Sequence, residues 1–141
     1  MSSLKGLINS IKSFVELHPA NPKFFAEFTE QMPNLATIDE QYPLVFMAFS
    51  PAVPQMNVIN YTVEIYVLDK IRDDRSNIVD LMSDTGQIIN DIYQYYNNGT
   101  EEIDVISLPT FNPLNNFDLD YVAGWVGTFD FELPQGCKED L

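Results

Sequence analysis

The stretch Asn57–Tyr96 changes its hydrophobic period once, and that change restricts the possible folds more than any other feature of the chain. Ile59, Tyr61, Val63, Ile65 and Val67 are apolar, and Asn60, Thr62 and Glu64 between them are polar. A period of two marks a strand with one face buried. Tyr66 and Leu68 interrupt the polar side, so the end of this strand is expected to be covered on both faces. Asp69-Lys-Ile-Arg-Asp-Asp-Arg-Ser76 then carries six charges in eight residues and turns the chain. From Ile78 the period becomes helical. Leu81, Met82, Thr85, Ile88, Ile89, Ile92 and Tyr96 fall on one side, with Asp80, Asp84, Gln87, Asn90, Asp91 and Gln94 on the other. Strand, acidic turn and long helix therefore form the expected scaffold.

Before this scaffold, Ser3 opens an amphipathic helix whose stripe is Leu4, Leu7, Ile8, Ile11, Phe14 or Val15, and Leu17. His18-Pro19 ends it, because the residue before proline is driven from helical angles. His18, the single histidine, is expected as a surface or capping residue at the positive-charge-favouring end of the helix. Within Pro22–Met32, Phe24, Ala26 and Phe28 alternate as a first strand, and Pro33–Gln41 is a polar connection. Tyr42–Ser50 is a near-continuous apolar run, which suits a strand covered on both faces. Ser50–Met56 would be the tip of a hairpin, yet it is apolar and holds two prolines. Either it folds back on its own core, or it projects and buries Val53 and Met56 in another subunit.

In the long helix, Gly86 costs about 1 kcal/mol relative to alanine. It implies a close-passing backbone or a bend. Tyr93, Tyr95 and Tyr96 point in different directions from the last turn, so at least one is expected to be exposed. Asn97-Asn-Gly99 stops the helix. Glu102–Ser107 reads as a short fourth strand. Leu108–Leu119 has Pro109, Phe111, Pro113, Leu114 and Phe117 with no clear period and is expected to be a long functional loop. In Asp120–Pro134 the residues Trp125, Phe129, Phe131 and Leu133 share one strand face, and Val126, Thr128, Asp130 and Glu132 the other. Gly124 and Gly127 beside the tryptophan indicate a bulge or close contact. Residues 135–141 are expected to form a flexible acidic tail. The whole predicts an α+β single domain over residues 1–134, with two layers: a mostly antiparallel sheet of about five strands, and two helices on one face.

Charge narrows the function. The chain has 141 residues, a formal net charge of −14 and only seven Lys and Arg. A protein that grips phosphate backbones or an anionic membrane needs more cations. No Lys or Arg occurs between Ser76 and Cys137, a segment with ten acidic residues. This predicts either a solvated acidic surface or a field that repels nucleic acid and attracts a basic partner. Cys137 is the single cysteine, so neither an intrachain disulfide nor a cysteine metal cluster is available. The N-terminal segment lacks the apolar core of a signal peptide and no apolar run reaches membrane-spanning length, so synthesis in a cytoplasm and no membrane partner are expected.

The common catalytic and nucleotide-binding motifs are absent, and one histidine with one near-terminal cysteine assembles no nucleophile–base pair. Asp69, Asp73, Asp74 and Asp80 lie close in sequence but depart from the calcium-loop spacing. They read as a charged turn, with Asp74 or Ser76 capping the helix and Asp73 favouring its positive end. No catalytic residue, metal ligand, cofactor or small-molecule ligand is expected.

Several segments together resemble the small head–tail joining and tail-terminator (neck or tail ring) proteins of tailed bacteriophages. They are the N-terminal amphipathic helix, Tyr42-Pro-Leu-Val-Phe46, the strand ending Val67-Leu-Asp69, Ser76-Asn-Ile-Val-Asp-Leu-Met-Ser-Asp-Thr85, and Asp120-Tyr-Val-Ala-Gly-Trp125. The resemblance implies a virion structural protein, made in the host bacterial cytoplasm, that forms a homo-oligomeric ring. Such a ring docks neighbouring portal, connector or tail proteins, and DNA passes through it without specific binding. The residues expected at subunit or partner contacts are Phe49, Pro51, Val53, Pro54, Met56, Leu108, Phe111, Leu114, Phe117 and Tyr121. An acidic lumen or partner face is expected from Asp80, Asp84, Asp91, Asp130 and Glu132. The alternative is an acidic DNA-mimic protein that occupies the nucleic-acid site of a basic host enzyme.

Overall fold

The period-two stretch forms the middle of the sheet. In a computed structural model, which describes residues 4–20, 22–28, 42–55, 58–71, 76–98, 103–117 and 122–134, it is strand β3 (Val58–Lys70). On one side β3 pairs antiparallel with β2 (Leu44–Gln55), and on the other with β6 (Val122–Pro134) over its full length. β1 (Lys23–Phe28) adds to β2 in parallel. β4 (Asp104–Val105) and β5 (Thr110–Phe117) both pair antiparallel with the outer side of β6, one after the other along it. The order is β1-β2-β3-β6, closed by β4 and β5 on the same edge. Six strands thus make a mixed, mostly antiparallel sheet five strands wide, and the chain is α+β.

Helices α1 (Leu4–Leu17) and α2 (Ile78–Asn97) cover one face of this sheet. Leu7, Ile11 and Val15 of α1 and Ile88, Ile89, Ile92 and Tyr96 of α2 are buried in one core with Val63, Ile65, Val67, Phe129, Phe131 and Leu133. Each strand contributes every second residue, as its alternation predicts. Where the two helices meet, Phe14 lies 4.7 Å from Tyr95 between ring centroids, and the hydroxyls of Ser10 and Tyr96 hydrogen-bond at 2.6 Å. Tyr96 is buried, and Tyr93 and Tyr95 are half-buried, so none of the three tyrosines is exposed. Phe131 takes up the Tyr96 ring edge-on, at 5.3 Å between centroids. Leu17, read as part of the α1 stripe, is instead 85% exposed, because the buried stripe ends at Val15.

The sheet's other face is not uniformly polar. Leu44, Leu68 and Val122 are buried there, with Tyr42, Tyr66 and Leu114 packed against them. This accounts for the double-sided apolar run at Leu44–Ala48, all of which is buried, and for the break in alternation at Tyr66 and Leu68.

Two segments expected to be loops are strands. Most of Ser50–Met56 belongs to β2, with Ala52 opposite Tyr61, Val53 opposite Asn60 and Pro54 opposite Ile59. The register shifts between Phe49 and Ala52, and among the described residues β1 accompanies β2 only as far as Phe49. Pro51 and Pro54 lack an N–H and fall where the ladder to β1 has stopped, the position in a sheet that tolerates proline. Within Leu108–Leu119, Thr110–Phe117 is β5, again an edge strand, which admits Pro113. The start of α2 also differs from expectation. Asn77 is its N-cap, and the Asn77 side chain donates to the Lys70 carbonyl (3.1 Å) rather than capping the helix. Ser76 lies in the preceding turn, and Asp73 and Asp74 lie outside the described residues, as do Pro33–Gln41 and residues 135–141.

Candidate functional surfaces

Alternation along β6 puts Phe129, Phe131 and Leu133 into the helix-side core and therefore Asp130 and Glu132 on the opposite, open face of the sheet. Asp130 is well supported there. Thr62 Oγ1 donates to its Oδ1 (2.6 Å), Ser107 Oγ to its Oδ2 (2.9 Å), and the Ile106 N–H to its carbonyl (3.0 Å). Glu132 stands directly opposite Asp104 of β4, a like-charge cross-strand pair that costs stability. On β3, Glu64 accepts a hydrogen bond from the Tyr66 hydroxyl (3.0 Å). Burial, together with the Glu64 carboxylate as partner and neighbour, pushes Tyr66 up to about 12. Beside Glu132, the Asn60 Oδ1 atom is buried with no hydrogen-bond partner among the described residues.

The acidic side of α2 lies on the other layer. Asp80 and Asp84 are exposed on the outer surface of the helix. The five residues expected to share one acidic face therefore divide: Asp80 and Asp84 lie outside the helices, and Asp130 and Glu132 lie across the sheet. Asp91 belongs to neither group. Its Oδ2 accepts from His18 Nε2 (2.8 Å) and its Oδ1 from Gln87 Nε2 (2.7 Å). The Ala20 N–H donates to His18 Nδ1 (3.1 Å), so this geometry fits a neutral imidazole with its proton on Nε2. His18 is only 11% exposed in its side chain and joins the end of α1 to α2. It is a tie between helices rather than the surface cap expected from its position.

Asp69, on the helix-side face of β3, is the second perturbed group. Burial raises its carboxyl above the usual range, the Lys70 N–H bound to Oδ1 (2.7 Å) partly reverses this, and Asp84 raises it further. Among the described residues, no group of three or more His, Cys, Asp or Glu side chains is placed to hold a metal ion. Among the same residues, no helix is long and apolar enough to cross a membrane.

The expected contact residues also separate. Phe111 is half-buried against the main core, its ring 6.0 Å from that of Phe129, and Leu114 packs on the open-face cluster. Both pack within this chain's own clusters and keep part of their surface exposed. Leu108, by contrast, is 82% exposed, and Ile106 beside it is 45% exposed. Phe49, Pro51, Val53 and Pro54 occupy β2, and Phe117 pairs with Val122 in β5. Met56 and Tyr121 lie outside the described residues.

Trp125 supplies a joint that the sequence signalled only through its glycines. Its indole Nε1 donates to the Met82 carbonyl (2.9 Å) inside α2, and a Cβ at Gly86 would sit 3.2 Å from that nitrogen. Gly86 thus clears a side chain, rather than the passing backbone or helix bend expected. One residue away, a Cβ on Gly124 would lie 1.8 Å from the Val67 carbonyl oxygen. The Ala-Gly-Trp segment therefore fastens β6 to β3 with its glycine and to α2 with its tryptophan.

A scan against protein-family models and a search of curated proteins each find no match to this chain.

Proposed function

We propose that the chain is a structural subunit that assembles into a homo-oligomeric ring at the head–tail junction of a tailed bacteriophage. The observation that carries this reading is a sheet with two unpaired outer edges among the described residues, set in a strongly acidic chain. An edge strand with free N–H and C=O groups is a site for adding another chain unless it is guarded. Closed rings arise when such surfaces meet head to tail and the rotation closes. The segments that resemble neck and tail ring proteins fall on the parts that set the fold: α1, the start of β2, the end of β3, the first half of α2, and the joint at Gly124 and Trp125. Carboxylates on both layers suit a wall past which duplex DNA slides without adhering.

Light scattering on the purified full chain, followed by negative-stain imaging, tests the proposal. A discrete multimer with a central opening is expected. A monomer at high concentration, unchanged by neighbouring neck or tail proteins, would refute it.

A second reading is favoured by one feature. Glu64, Asp104, Asp130 and Glu132 share one face of the sheet, an arrangement that could imitate a row of phosphates. An acidic DNA mimic would bind a basic nucleic-acid enzyme tightly at low salt and lose that affinity steeply as salt rises.

A further inference from the structure

His18 is the single histidine of the chain, and both nitrogens of its imidazole are engaged. Nε2 meets the Asp91 carboxylate on α2 (2.8 Å), and Nδ1 meets the N–H of Ala20, two residues further along (3.1 Å). A backbone N–H can only donate, so Nδ1 is the acceptor and the proton of the neutral imidazole sits on Nε2. The two contacts serve different parts of the fold. The first ties the end of α1 to α2. The second closes the turn that follows α1 and precedes β1, whose first residue, Lys23, donates its N–H to the Pro43 carbonyl (2.9 Å).

Few groups face the imidazole. From α1, Phe14 meets it edge-on, at 6.2 Å between ring centroids. From α2, the facing charge is Asp91, whose other oxygen accepts from Gln87 (2.7 Å). Tyr95, another titratable side chain of α2, packs on Phe14 (4.7 Å between centroids). Among the described residues, no titratable side chain besides Asp91 hydrogen-bonds to His18.

A proton added to this imidazole treats its two contacts in opposite ways. The imidazolium donates from both nitrogens. Its Nε2–H still donates to Asp91, now as a charge-assisted bond. Its Nδ1–H points at the Ala20 N–H, and two donors cannot share that contact. Asp91 and Phe14 hold the imidazole in place, whereas Pro19 and Ala20 are exposed, so the backbone at Ala20 yields and water takes its N–H. We propose that His18 is a proton-operated latch on the turn between α1 and β1. The latch is closed while the imidazole is neutral and released when it is charged, and the tie between α1 and α2 persists in both states. Imidazole is the side chain that gains charge on mild acidification, so the release is a response to falling pH. It operates within one chain and does not depend on the oligomer.

Nitrogen-15 NMR of the full chain, from about pH 8 towards acid, tests the latch, and a single histidine makes the imidazole signals unambiguous. At the alkaline end the proton is expected on Nε2. As the imidazole charges, the Ala20 amide proton is expected to move upfield with the same midpoint. In His18→Gln, whose side-chain amide can donate to Asp91 without titrating, the Ala20 response is expected to vanish. Should assembly broaden the amide signals, hydrogen–deuterium exchange of peptides covering the turn, corrected for the intrinsic effect of pH, reads the same change. Protection there is expected to fall about fivefold in wild type, as for one lost hydrogen bond, and to stay constant in His18→Gln. Three results would each overturn the latch: a neutral imidazole with its proton on Nδ1, an imidazole that stays neutral until the chain unfolds, or an Ala20 response that is absent in wild type or persists in His18→Gln.

Discussion

Gly124→Ala should be among the most damaging conservative substitutions in this chain. Gly124 faces Leu68 across the β3–β6 ladder, and an added Cβ would lie 1.8 Å from the Val67 carbonyl oxygen, 2.9 Å from its carbon and 3.0 Å from the Leu68 Cα. A carbon–oxygen contact settles near about 3.3 Å. The methyl must therefore retreat by about 1.5 Å from a strand that is itself held by β2. Ladder hydrogen bonds do not survive that displacement, since their useful N···O range spans only about 0.5 Å. Loss of two bonds costs about 1 kcal/mol each, and more because Val67, Leu68 and Gly124 are buried and water cannot replace the lost partners. The expected loss is about 3–5 kcal/mol, a large share of the roughly 5–15 kcal/mol of a typical domain.

Gly86→Ala is the internal control. There the added methyl meets the Trp125 indole at 3.2 Å, a side-chain atom that can tip aside. The improvement in helix propensity, about 1 kcal/mol, opposes the strain on the indole hydrogen bond. The net change should stay within about 1 kcal/mol of zero. Urea unfolding followed by far-ultraviolet circular dichroism reports both variants without depending on the tryptophan. If Gly124→Ala costs less than about 1 kcal/mol at unchanged denaturant slope, or no more than Gly86→Ala, the close approach of β6 to β3 does not constrain the fold as argued.

Other substitutions probe the remaining surfaces. Trp125→Phe removes the bond to the Met82 carbonyl and part of a packed ring, and should cost about 2 kcal/mol in the same unfolding assay. Phe111→Asp and Ile65→Asp should both unfold the chain, whereas Leu108→Asp should leave its thermal midpoint within a degree or two and affect only assembly. Asp69→Asn keeps an acceptor for the Lys70 N–H and removes a charge that burial and Asp84 disfavour. Asp69 binds its proton more tightly folded than unfolded, so its contribution is favourable only in acid and is lost as pH rises through the folded value. Asp69→Asn should therefore raise the melting temperature at pH 7, and the difference should vanish as pH falls through the carboxylate range. A double-mutant cycle on His18→Ala and Asp91→Ala should give a coupling of about 1 kcal/mol, and a value near zero would show that the tie between α1 and α2 contributes nothing.

The parts legible in the sequence were those where one face of an element is buried and the other is not. β3 as far as Ile65, and α2, show clean periods because there each presents a single apolar face to the core. β5 shows none for a physical reason. Phe111 packs on the helix-side core and Leu114, of opposite parity, on the open-face cluster, so both faces of the strand bury apolar groups and the alternation disappears. Its proline then resembles a turn signal. The same applies to Pro51 and Pro54, which mark the stretch of β2 that β1 does not accompany. His18 and Asp91 lie 73 residues apart, and no local pattern reveals such a pair. Gly86 and Gly124 did carry a signal, but it gave only the need for space and not its occupant.

The division of the acidic residues follows from layer geometry, and it bears on assembly. Acids opposite the apolar face of α2 must point away from the sheet on the helix side. Acids opposite the core face of β6 must point away on the other side, because both helices occupy a single face. Each broad surface of the domain then carries carboxylates: Asp80 and Asp84 on one, and Glu64, Asp130 and Glu132 on the other. Stacking either surface on its own copy places like charges together. Repulsion at both broad faces therefore disfavours face-to-face stacking and leaves lateral contact unopposed. A ring built laterally presents an acidic wall to its lumen whichever broad face turns inward, so passage of DNA need not fix that choice.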